Sequence, residues 1–84
     1  MSRLDLERLQ DDLDTELTFA LMGDPWGPSL AGRLQTMARM VLLRHGLPKA
    51  QVRVSREGAG VRVHIALPPG PQRVRQLVLS VGVR

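Results

Sequence analysis

The apolar residues of this 84-residue chain change period at Gln51. Before it they recur at spacings of three and four, and after it they alternate, so the first half reads as helix and the second as sheet. That change confines the chain to an α+β fold in which helices and strands are segregated along the sequence.

Residues 1–22 carry Leu6, Leu9, Leu13, Leu17, Ala20 and Leu21 as one apolar stripe on an acidic helix. Ser2 is the expected N-cap, with Asp5 three residues on as an acidic analogue of the capping box. Residues 23–28, Gly-Asp-Pro-Trp-Gly-Pro, stop that helix, since each proline disfavours helix at the residue before it. A second helix over 29–46, beginning at Pro28 or Ser29, has a broad apolar face of Leu30, Leu34, Met37, Met40, Val41 and Leu43. Its end is marked by Gly46 for the left-handed C′ position, Leu47 to pack back on the last turn, and Pro48 to prevent continuation.

Residues 50–84 read as a three-stranded sheet. Val52 and Val54 alternate with Arg53 and Ser55, and Val61, Val63, Ile65 and Leu67 alternate with Arg62, His64 and Ala66, which is the signature of a hairpin. With Val54 opposite Val61 and Val52 opposite Val63, all the valines share one face, and Arg53 falls opposite Arg62. Pro68-Pro69-Gly70-Pro71 leads into a third strand over about 73–83. The expected architecture is a single domain, residues 1–84, with two helices packed on a three-stranded, mainly antiparallel sheet in the order ααβββ.

Composition narrows the function classes. The chain has no cysteine and two aromatic residues, Phe19 and Trp26, so its core is aliphatic, disulfides cannot staple it, and base-stacking platforms are not expected. The N-terminal stretch lacks the pattern of a secretory signal, and no run approaches the length of a membrane span, so the expectation is a cytoplasmic protein, or part of a particle assembled there, without a membrane partner. Charge is uneven: residues 1–16 hold six acids against Arg3 and Arg8, a net −4, whereas the other 68 residues hold ten Lys or Arg against Asp24 and Glu57, a net +8.

Catalysis has little to work with, and no catalytic residue, metal ligand or cofactor site is assigned. His45 belongs to a helix C-terminus, where a cation favours the dipole, and the six acids of the first helix read as solvation of its polar face. Arg53 opposite Arg62 is unfavourable unless an anion lies between them, which makes Arg53, Arg56, Arg62 and His64 candidate anion-binding residues. The last strand is uncharged from Gln76 to Val83, which two placements explain: after a short connection it lies at a sheet edge, where natural strands usually carry lysines, prolines or bulges that prevent pairing, or it pairs beside the first strand and is central. With Leu77, Leu79, Val81 and Val83 facing the helices, Val74, Val78 and Ser80 face outward as candidate partner-binding residues, and Trp26 in its turn is either a cap over the helix–helix junction or a further anchor for the partner. The expected function is a non-enzymatic assembly module that binds a protein partner, or a second copy, through this strand and through complementary acidic-helix and basic-sheet surfaces. Small accessory subunits of phage-tail-like or secretion-type assemblies suit that description. Nucleic-acid binding by the arginine-rich sheet face is the alternative.

Overall fold

A computed structural model describes residues 5–22, 26–69 and 75–82. Helix α1 spans Leu6–Leu21 and α2 spans Pro28–Arg44; strands β1, Gln51–Glu57, β2, Gly60–Ala66, and β3, Gln76–Val81, form one sheet in the order β1-β2-β3 with both pairings antiparallel. This is the α+β arrangement that the change of period implies.

The helix ends follow from local chemistry. Asp5, in extended conformation, caps α1 by accepting a hydrogen bond from the Arg8 N–H at 3.1 Å. The cap therefore falls at Asp5, where a carboxylate also faces the positive end of the helix dipole, and not at Ser2, which lies outside the described residues. Pro28 occupies the first turn of α2, where its missing N–H costs nothing. At the other end Gly46 takes φ +78°, its N–H donates to Leu43 O at 3.0 Å, and the Leu47 N–H donates to Leu42 O at 2.8 Å. These are the two bonds of a Schellman motif, and the buried Leu47 supplies the apolar contact that accompanies it.

One side of the sheet carries both helices, α1 over β3 and α2 over β1. Leu9, Leu13 and Leu17 of α1, Leu34, Ala38, Val41 and Leu42 of α2, and Val61, Val63 and Ile65 of β2 close a wholly aliphatic core. Met40 and Leu43 are 61% and 60% exposed. Sequence spacing alone puts them on the apolar face of α2, but the sheet covers a narrower arc, and Ala38 and Leu42 fill it instead.

The hairpin register differs from the sequence expectation by two residues. Val54 faces Val63, Val52 faces Ile65, and Glu57 faces Gly60 across the two-residue loop Gly58-Ala59. Gly58 adopts φ +57° at the first position of this loop, whereas Val54 opposite Val61 would close on Glu57-Gly58 and put Glu57 at the position where the favoured hairpin turns need a positive φ. A shift of two preserves the alternation, so the valines still share the inner face. In β3, Leu77 and Val81 are buried and Val78 faces out, as its pattern predicts; Arg73, Val74 and Val83 lie outside the described residues.

Leu13 has no solvent exposure. Leu13→Asp would place an unpaired charge in the aliphatic core and should lower stability by about 3 kcal/mol or more. Urea unfolding measures this, and an unchanged midpoint would show that the α1 stripe is not the core contact.

Candidate functional site

The register redistributes the residues proposed for anion binding. Arg53 faces His64, and Arg62 faces Ser55, so the two arginines are not opposite one another. The like-charge clash that called for an anion is therefore absent from the ladder. Arg62 makes an ion pair with Glu57, whose second oxygen accepts from the Ser80 hydroxyl at 3.2 Å. Arg53, Arg62 and His64 do share the exposed outer face of the sheet, but Arg56 alternates to the inner side. It lines a cavity of about 370 Å³ with Trp26, Thr18 and Leu30, between the helix junction and the hairpin tip. Trp26 is 37% exposed there, half cover and half surface.

The six acids of the first helix divide by position. Asp5 is the cap. Asp12 Oδ2 lies 2.7 Å from Nε2 of the half-buried His45, and Glu16 Oε1 lies 3.4 Å from Arg44, so these two tie α1 to α2. Glu7, Asp11 and Asp14 follow at spacings of four and three on the opposite flank, all exposed and without an ion-pair partner among the described residues. Like charges so spaced repel by about 0.2–0.5 kcal/mol per pair. With Gln10 they form one wall of a shallow groove of about 410 Å³, whose other wall is Val78, Leu79 and Ser80 of β3.

That wall is a sheet edge. The Leu67 N–H donates to Arg75 O at 2.8 Å, which places the odd-numbered residues of β3 in the hydrogen-bonded pairs with β2. The N–H and C=O groups of Gln76, Val78 and Ser80 consequently point away from β2, and among the described residues no strand lies beyond them. The β1 edge is treated differently. Its outward groups belong to Val52, Val54 and Arg56, and Gln35 of α2 donates from Nε2 to Val52 O at 3.0 Å. One edge is partly closed by a side chain; the other carries the exposed Val78 and no charge.

Comparison with protein families, curated proteins and solved structures finds no match to this chain. Among the described residues no helix is long and apolar enough to cross a membrane.

The sequence pattern singled out Val78 and Ser80, and the structure puts both on the groove beside β3; Val74 lies outside the described residues. It did not associate Glu7, Asp11 and Asp14 with them. Their spacing of four and then three was the available signal, since it puts the three on one flank of a helix.

The division of the acids has a measurable consequence. Asp12→Ala removes the partner of a half-buried histidine and should cost about 1 kcal/mol more than Asp11→Ala, which relieves repulsion. Equal unfolding free energies for the two variants would contradict the division.

Proposed function

We propose that this chain is a non-enzymatic protein-binding module of a larger assembly that accepts an extended strand of a partner on the β3 edge. One observation carries the reading: the backbone groups of Gln76, Val78 and Ser80 point outward from the sheet edge, Val78 and Ser80 onto a groove, with no charge, proline or bulge in β3 to discourage pairing. An added strand extends the antiparallel ladder, so backbone hydrogen bonds supply affinity, and the groove walls select side chains.

Other features support binding over catalysis. The titratable groups most favourably placed for chemistry are used structurally: Asp5 caps α1, Asp12 holds His45, and Glu57 joins Arg62 and Ser80. The basic outer face is a second surface through which a subunit of a larger assembly would meet acidic protein. It is a weaker basis for nucleic-acid binding, because Arg62 already has a carboxylate partner and Arg56 lies on the other side of the sheet.

Val78→Lys introduces a charge at a half-exposed position of the edge strand. The fold should be unaffected, within about 0.5 kcal/mol. A peptide selected from a random display library on the folded chain should shift the amide resonances of Gln76, Val78 and Ser80, and Val78→Lys should weaken its binding by about tenfold, the equivalent of 1.4 kcal/mol. Selected peptides that leave those amides unmoved and bind the variant as well as the wild type would contradict the proposal.

A further inference from the structure

If the β3 edge accepts a strand, as proposed above, the groove beside it also specifies that strand. Two packed helices span about 20 Å, three strands only about 14 Å, and four strands about 19 Å. Because α1 packs over β3, the vacant fourth-strand position lies beneath its outer flank. The half-buried Leu79 shows where that flank fails to close over the sheet. A strand laid there directs every second side chain toward Glu7, Asp11 and Asp14, and the alternate ones toward the outer face beside Val78.

The geometry points to an extended basic segment of another protein as the occupant, with Lys or Arg at alternate positions facing the three α1 carboxylates and β-branched apolar residues between them beside Val78. Three acids in one stripe, without an ion-pair partner among the described residues and next to the outward backbone groups of β3, favour cationic side chains, and the same stripe repels an acidic strand or a nucleic acid. A second copy of this chain fits less well. Two-fold pairing of β3 with another β3 sets one acidic flank against its equivalent. Pairing of β3 with the β1 edge of another copy meets a carbonyl, that of Val52, already bonded to Gln35. A lone segment without its own helical layer meets neither obstacle.

Two synthetic heptapeptides test this, one alternating Arg with Val and one alternating Glu with Val, each titrated into the isotope-labelled full chain and followed by amide resonances. The Arg–Val peptide should shift Gln76, Val78 and Ser80 and bind about tenfold more tightly than the Glu–Val peptide, with the advantage shrinking severalfold from about 50 to about 500 mM salt. In the triple variant Glu7→Lys, Asp11→Lys and Asp14→Lys, whose fold is checked by circular dichroism, the preference should invert. Equal binding of both peptides at β3 of the wild-type chain would overturn the basic specificity while leaving strand addition in place. Absence of β3 shifts with either peptide up to millimolar concentration would remove both.

Discussion

Everything in this fold depends on the inner face of β2. Val61, Val63 and Ile65 are at most 2% exposed and share one buried cluster with the leucines of α1 and the aliphatic face of α2. The strand is hydrogen-bonded on both sides, so its backbone needs nothing from water or side chains. With no aromatic residue in the core, the stability of an 84-residue chain rests on close packing of branched aliphatic side chains in this one layer.

That central strand also decides where the chain remains incomplete. A meander with β2 in the middle leaves β1 and β3 as edges, and two helices are wider than three strands. On the β1 side, α2 reaches down with Gln35 and takes up the Val52 carbonyl. On the β3 side, Glu7, Gln10, Asp11 and Asp14 of α1 stand beside the edge, and among the described residues none of them bonds its backbone groups. The asymmetry of charge along the sequence thus becomes an asymmetry between two sheet edges, one partly closed by Gln35 and the other, the acidic one, without a side-chain bond to its outward backbone groups among the described residues.

Much of this was legible in the sequence. The change of period at Gln51 separates helix from sheet, Gly46-Leu47-Pro48 marks the end of α2 through a motif whose bonds are all local, and the alternation of β3 assigns Leu77 and Val78 to opposite faces. What was not legible depends on relations between elements. The register of the hairpin is degenerate to shifts of two, because valines two apart are interchangeable by pattern, and only the loop geometry at Gly58 resolves it. The side of the sheet on which Arg56 lies could be read from alternation, but its place beside Trp26 could not. Likewise Met40 and Leu43 satisfy helical spacing and are nevertheless exposed, because the width of apolar surface that α2 can bury is set by the sheet. The acids of α1 look uniform as composition; only the placement of α2 on one flank and β3 on the other separates structural carboxylates from those without an ion-pair partner among the described residues.

The edge character of β3 is accessible to amide hydrogen exchange, residue by residue, in the dilute isolated chain. Protection should alternate: Leu77, Leu79 and Val81, bonded to β2, exchange slowly, while Gln76, Val78 and Ser80 exchange on the timescale of solvent-exposed amides. Uniformly slow exchange from Gln76 to Val81 would show that the far side of β3 is already paired, and there would be no vacant strand position for a partner to fill.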